Sequence, residues 1–350
     1  MSVTPDLRID ITASRLFTGW LASQGASLAF TTYQAGKLFF VGLNDRGQLA
    51  LFNRTLARVM GLAAHGDTLW VATLWQLWRF ENALPPGQRK DAHDRWYVPQ
   101  MAYTTGDIDV HDVAVDGDGE PMFVSTLFSC IALPDPRHSF RPVWKPPFVS
   151  RYAAEDRCHL NGLAMRDGRP AFATCVARSD ANEGWREHRT HGGLLLDVAS
   201  DEIACAGLSM PHSPRWYRDR LWLVNAGTGE FGWVDLAAGR FEPIAFCPGF
   251  LRGLAFIGDF AVVGLSMQRE NRTFSGLALD QRLADKGVSA RCALQVIDLA
   301  RGDVVHEVRI EGVVSELFDV AVLPGVRNPG AVGFSNDEIR RTIVLPPGVQ

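Results

Sequence analysis

Residues 60–73 read MGLAAHGDTLWVAT. A short run of small and apolar residues meets a Gly-Asp pair, and a more hydrophobic run follows. Gly and Asp accept the backbone of a tight reversal, so the stretch reads as strand, turn and second strand. The phrase returns as HDVAVDGDGEPMFVST at 111–126, NGLAMRDGRPAFATCV at 161–176, HSPRWYRDRLWLVNAG at 212–227 and RGLAFIGDFAVVGLS at 252–266, and FDVAVLPG at 318–325 begins a sixth copy. Successive starts differ by 51, 50, 51, 40 and 66 residues. A unit of roughly 40–50 residues has room for the four antiparallel strands of a propeller blade. Further strands are expected at WQLWRF (75–80), GGLLLDV (192–198) and CALQVIDL (292–299).

The two ends complete the count. SLAFTT (27–32), KLFFVG (37–42) and QLALFN (48–53) look like second, third and fourth strands without a first, and FDVAV (318–322) like a first strand without companions. Joining them closes a sixth blade from one C-terminal and three N-terminal strands and removes the exposed sheet edges. The expectation is an all-β, six-bladed β-propeller over 15–335, one domain, with a tail at 336–350 packing outside. If RRTIVL (340–345) joins a sheet, the count becomes seven. A β-sandwich is the smaller alternative.

The 350 residues are 47% hydrophobic and 21% charged, enough for a large core. A net charge of −4 and the lack of a basic run give no reason to expect nucleic acid as a partner. No apolar span is long enough for a membrane helix. The opening MSVTPDLRIDIT lacks the features of a signal peptide. Cys130, Cys158, Cys175, Cys205, Cys247 and Cys292 form no CxxC pair and suit core thiols of a cytoplasmic protein.

Aligning the phrases aligns the residues at each first-strand entrance: Met60, His111, Asn161, His212, Arg252 and Phe318. Two positions earlier stand Arg58, Asp109, His159, Met210, Phe250 and Glu316. Alternate strand residues share a face, so both rows are expected to face the propeller axis. His111, His159 and His212 are the candidate ligands for a divalent transition metal, iron, copper or zinc, with Glu316 or Asp109 as a further oxygen donor or proton carrier. Arg252 can clamp a carboxylate or phosphate, or neutralise an acidic neighbour. Asn161 is a candidate substrate contact. The competing reading is structural: the same side chains can bond neighbouring backbone and stitch the sheets together.

Two long connections add candidates. CVARSDANEGWREHRTHGG (175–193) offers Trp185 to cover substrate and Arg186 to recognise an anion, with His188 and His191 as further donors or metal ligands. SMQRENRTFSGLALDQRLADKGVS (266–289) carries Arg269 and Asn271 beside Phe274 and could form a mouth, a lid or a contact between copies in a homo-oligomer. NAGTGEFGW (225–233) lacks the strand–turn–helix setting of a dinucleotide fingerprint, and no GxSxG elbow accompanies the strong sites.

HLNGLAM (159–165), PHSPRWYRDRLWLVNAGTGEFG (211–232), RGLAFIGDFAVVGLS (252–266) and RENRTFSGLALD (269–280) resemble a bacterial family described as a domain of unknown function, over roughly residues 15–335. The chain is also similar in a general way to six-bladed propellers of the lactonase and lyase classes, some of which hold a divalent metal at the axis. Its axial row is richer in histidine than an oxygen-dominated calcium site. The expected function is a metal-dependent enzyme acting on a small polar or amino-acid-like molecule by hydrolysis, elimination or oxidation. The alternative is a noncatalytic propeller that binds a small molecule or a protein.

Overall fold

The turns named by the sequence fold as hairpins. Asp167 and Gly168 both adopt positive φ, 53° and 71°, the backbone of a two-residue reversal between strands Leu160–Arg166 and Arg169–Cys175. Arg218 and Asp219 do the same, at 50° and 57°, between Pro211–Tyr217 and Arg220–Asn225. In the computed structural model, which describes residues 8–267 and 275–346, such hairpins build six antiparallel sheets arranged as the blades of a six-bladed β-propeller.

The first blade runs outward from Leu62–His65 through Thr68–Ala72, Gln76–Asn82 and Arg95–Thr104. The second starts at Val110–Val115, the third at Leu160–Arg166, the fourth at Pro211–Tyr217 and the fifth at Phe250–Ile257. In the sixth sheet Val320–Pro324 pairs with Ala26–Thr32, placing Val320 opposite Phe30, and Lys37–Leu43 and Leu49–Thr55 follow. Two sheets carry a fifth strand at the rim. Ile9–Ala13 pairs with Val304–Gly312 of the fifth blade, and Pro329–Ala331 lies parallel to Arg95–Thr104 of the first. The segment RRTIVL forms no strand. Its first residues end a short helix, Glu338–Arg341, whose Glu338 accepts a bond from Arg54 on the sixth blade.

Inner strands are buried on both faces, which is why they read as nearly continuous apolar runs. In Ala26–Thr32 every residue is buried. Leu28 and Phe30 pack toward the fifth blade with Val262, Leu294 and Val308, while Ala29 packs toward the first with Leu69 and Val71. Each of the six junctions between blades has its own apolar cluster, so the sheets form a closed circle. All six cysteines are buried free thiols in or beside these clusters, and burial pushes Cys130 and Cys247 up to about 12.

A second set of contacts runs round the axis. Asp112 accepts the backbone N–H of Leu163 in the next blade at 2.9 Å, Ser213 accepts that of Gly253 at 3.0 Å, and Asp319 accepts that of Leu62 at 2.8 Å. At the other three junctions the matching residue is Gly61, Gly162 or Gly253. A Cβ on Gly162 would lie 2.2 Å from Pro214, and one on Gly253 would lie 2.8 Å from the backbone of Val320, so the blades approach too closely for a side chain. Arg215 of the fourth blade then reaches across to both carboxylates. It donates to Asp112 through two bonds of 2.7 and 2.9 Å and lies 3.6 Å from Asp319. Burial raises Asp319 to about 7 despite Arg215.

Removing Arg215 would leave two buried carboxylates without a counter-charge, a loss that costs about 3–5 kcal/mol in comparable settings. Arg215→Leu is expected to lower the urea unfolding midpoint strongly, while Arg218→Leu, which breaks an exposed pair with Asp259, leaves it in place. Equal midpoints for the two variants would show that the axial triad contributes nothing.

Candidate metal centre

His159 immediately precedes the inner strand of the third blade, His111 and His212 are the second residues of the inner strands of the second and fourth, and backbone geometry decides how they point. Arg58, Asp109, His159 and Met210 all have positive φ, between 46° and 56°. They lie outside extended strand, so left-handed backbone, rather than the strand alternation the sequence suggested, brings this row to the same cavity as His111, Arg252 and Phe318. Instead the left-handed kink turns backbone carbonyls toward the histidine rings. Met210 O accepts from His212 Nδ1 at 2.9 Å, and Asp109 O lies 3.3 Å from His111 Nδ1.

The result is convergence. His111, His159 and His212 each offer a ring nitrogen within 4.8 Å of the others, and all three are buried. The rings of His111 and His159 meet edge to face at 4.9 Å. Bonding fixes their tautomers. Thr126 donates its hydroxyl hydrogen to Leu160 O at 2.5 Å, so at 2.8 Å it accepts from His111 Nδ1–H. His212 Nδ1–H donates to Met210 O, and His159 Nδ1–H donates to Asp156 Oδ2 at 2.9 Å. Every Nδ1 is therefore committed; in His111 and His212, held neutral, the Nε2 keeps its lone pair, and that of His212 faces Asn161 Nδ2 at 3.5 Å. Burial, followed by the His159 and Arg252 charges, holds His111 well below its ordinary 6.5. Burial, followed by Arg252 and His111, does the same for His212. Neutral imidazoles with free lone pairs are the state a metal requires, and this cluster can coordinate a divalent transition metal.

A cavity of about 380 Å³ opens beside the triad. Its wall includes His111 and His159, together with Asp109, Asp156, Arg252, Tyr33 and Phe318. His212 is buried and does not reach this wall. Arg252 donates to Glu316 at 2.9 Å, both buried. Arg58 pairs with Asp107 and lies 4.0 Å from Asp109, whose other oxygen is 3.5 Å from His111 Nδ1. Asn161 holds its amide between two partners. Thr174 donates to its Oδ1 at 2.8 Å, and its Nδ2 lies 3.5 Å from His212 Nε2.

Trp185 is 2% exposed. It stands beneath the surface of its connection, packed on His159 at 4.1 Å between centroids with the ring planes tilted by 32°. Arg186 lies over the other part of Trp185 and pairs with Glu183 at 2.6 Å. His188 and His191 are exposed and stay outside the triad. Arg269, Asn271 and Phe274 lie outside the described residues. Sequence reasoning missed Thr126 and Asp156. Thr126 closes a strand phrase and carries no sign of its partner, but Asp156 stands three residues before His159, a carboxylate–histidine spacing that could have marked it.

A profile of the family described as "Domain of unknown function (DUF4915)" matches residues 15–332. The chain belongs to this family. No curated protein matches it significantly. A chain of the nidogen/laminin complex crystal structure is similar with a TM-score of 0.53 at 12% identity, covering 86% of this chain and 99% of that one. A protein of unknown function from Bacteroides caccae gives 0.49 at 11%, covering 85% and 98%. Virginiamycin B lyase from Staphylococcus aureus gives 0.40 at 13%, covering 74% and 96%. The first of these likenesses bears on the fold and on nothing else. Among the described residues no helix is long and apolar enough to cross a membrane.

The depressed histidines have a consequence for acid stability. Unfolded, His111 and His212 protonate near 6.5, whereas folded they stay neutral well below it. Their contribution is complete above pH 6.5 and is lost as pH falls below it, by up to about 1.4 kcal/mol per pH unit for each group. Metal-free protein is expected to show no imidazole titration at these two residues between pH 7.5 and 6 by NMR, and a falling unfolding midpoint below pH 6.5. Normal titration of both rings would overturn the assignment.

Proposed function

We propose that this propeller is a metal-dependent enzyme whose divalent transition metal is held by His111, His159 and His212, and that its substrate is a small polar or amino-acid-like molecule. The observation that carries the reading is the convergence of ring nitrogens of His111, His159 and His212, drawn from three blades, within 4.8 Å of one another, with each ring oriented by an acceptor at its Nδ1. The charge of the wall supports it. Arg252 and Arg186 are matched by Glu316 and Glu183, and Arg58 by Asp107. Asp109, 4.0 Å from Arg58, and Asp156, bonded to His159, add two more carboxylates to the wall, a setting suited to a divalent ion.

When bound, such a metal polarises a substrate oxygen or lowers the pKa of water. The chain's own residues supply the rest. Asp109 lines the wall without a short ionic bond and takes the proton in hydrolysis or elimination. Arg252 binds an anionic group, and Glu316 acts through it by fixing the guanidinium. Asn161 orients beside His212, and Arg186 borders the mouth with Trp185 beneath it. Arg269 and Asn271 belong to the same proposal as further substrate contacts. We also take Val320–Pro324 as the C-terminal strand that closes the ring on three N-terminal ones, a reading its register with Ala26–Thr32 supports.

Protein purified without chelator is expected to contain about one divalent transition metal per chain by elemental analysis. His111→Ala, His159→Ala and His212→Ala should each weaken Zn²⁺ binding by at least about 100-fold in calorimetry with a competing chelator, on the scale of losing a ligand outright rather than its outer support. His138→Ala, at an exposed histidine paired with Asp135, is the control. Binding that survives in all three triad variants would overturn the proposal.

A further inference from the structure

The slot that holds His159 does not by its shape decide which ring nitrogen faces the triad. The ring lies between the edge of His111, at 4.9 Å, and the face of Trp185, at 4.1 Å. A half-turn of the imidazole about its Cβ–Cγ bond occupies nearly the same volume and exchanges carbon for nitrogen. Packing therefore fixes the plane and leaves the direction open. Hydrogen bonding settles it, and the acceptor is one oxygen: Asp156 Oδ2, 2.9 Å from His159 Nδ1.

That oxygen has a second donor. Trp185 Nε1–H reaches it at 2.8 Å, from the turn Gly184–His188 within the connection 176–192. The next peptide link is fastened too, since the N–H of Glu183 donates to Glu155 O at 2.9 Å. The other oxygen, Asp156 Oδ1, is buried and has no hydrogen-bond partner among the described residues. Asp156 itself lies on the cavity wall and has positive φ, 42°, in an irregular stretch between blades. The side chain is half-buried, and its unpaired buried oxygen carries a desolvation cost.

We infer that Asp156 is a positioning residue: through Oδ2 it sets the tautomer and direction of His159 and seats the connection 176–192 on the same atom by way of Trp185. This rests on the metal reading above only for its effect on affinity. A carboxylate accepting from Nδ1–H keeps the Nε2 lone pair turned to the triad and raises its basicity. The connection is in this way tied to the ligand it covers. Arg186, stacked on Trp185 at 4.6 Å and paired with Glu183, completes a ladder from the triad to the rim.

The test uses the full chain with Asp156→Leu, Asp156→Asn and Trp185→Phe. In metal-free protein, long-range proton–nitrogen NMR reports the His159 tautomer directly. Wild type is expected to be Nδ1–H, Asp156→Leu to shift to Nε2–H or a mixture, and the isosteric Asp156→Asn, which keeps an acceptor but loses the charge, to fall between. Zn²⁺ affinity measured with a competing chelator should drop roughly 10- to 100-fold for Asp156→Leu, and less for Asp156→Asn. Trp185→Phe should hold affinity within about threefold, the outer-shell loss being confined to the tryptophan's own bond, while trypsin cuts faster at Arg178, Arg186 or Arg189. An unchanged tautomer and unchanged affinity in Asp156→Leu overturn the inference; if that variant does not fold, the same two results in Asp156→Asn do so. If wild type binds no Zn²⁺, the metal reading fails, and the tautomer measurement still decides the role of Asp156.

Discussion

The structure depends on how the inner strands are fastened to one another round the axis, and the backbone N–H groups of Leu62, Leu163 and Gly253 are bonded by side chains of the preceding blade. Asp112, Ser213 and Asp319 each accept one from the following blade, and Arg215 supplies the charge that two of those buried carboxylates require. The functional row sits one residue before this ring. His111 precedes Asp112, His212 precedes Ser213, Asn161 precedes Gly162 and Arg252 precedes Gly253. Each axial side chain is thus carried by a peptide whose next residue is clamped sideways to a neighbouring sheet. Such precision is what a ligand set drawn from separate blades needs.

Around that scaffold the triad is assembled from three different acceptors: a threonine hydroxyl, a main-chain carbonyl and a carboxylate. The common outcome is chemical rather than geometrical repetition. Burial keeps two of the rings neutral, and the acceptors choose the same nitrogen in all three. Hydrogen bonding to neighbouring groups accounts for the Nδ1 contacts, and the approach of the three rings within 4.8 Å is what gives the cluster its capacity for a metal.

Much of this was legible in the primary structure because the blade phrase couples two signals that coincide in space. The starts at 60, 111, 161, 212, 252 and 318 all fall at the entrances of inner strands, so aligning them placed His111, His159 and His212 together before any distance was known. What escaped were features with no periodic signature. The left-handed backbone at Asp109, His159 and Met210 is imposed by the turn into the axis, not by residue type, and it replaces the simple alternation that the strands suggested. Asp156 belongs to an irregular link, and the partnership of Arg215 with Asp112 joins residues from different blades. The extra strand Ile9–Ala13 is too short, and too far from the phrase it joins, to declare its neighbour.

The ring that fastens the blades alternates in character. An acceptor side chain stands at 112, 213 and 319, and a glycine stands at 61, 162 and 253 where the neighbouring backbone presses in. At this ring the structural period is therefore a pair of blades, repeated three times round the axis. Comparing single blades superimposes positions under opposite constraints, one demanding a polar side chain and the other forbidding any, and so blurs both. Comparing pairs brings like onto like, and shows the six-fold appearance of the molecule to rest on an underlying three-fold plan.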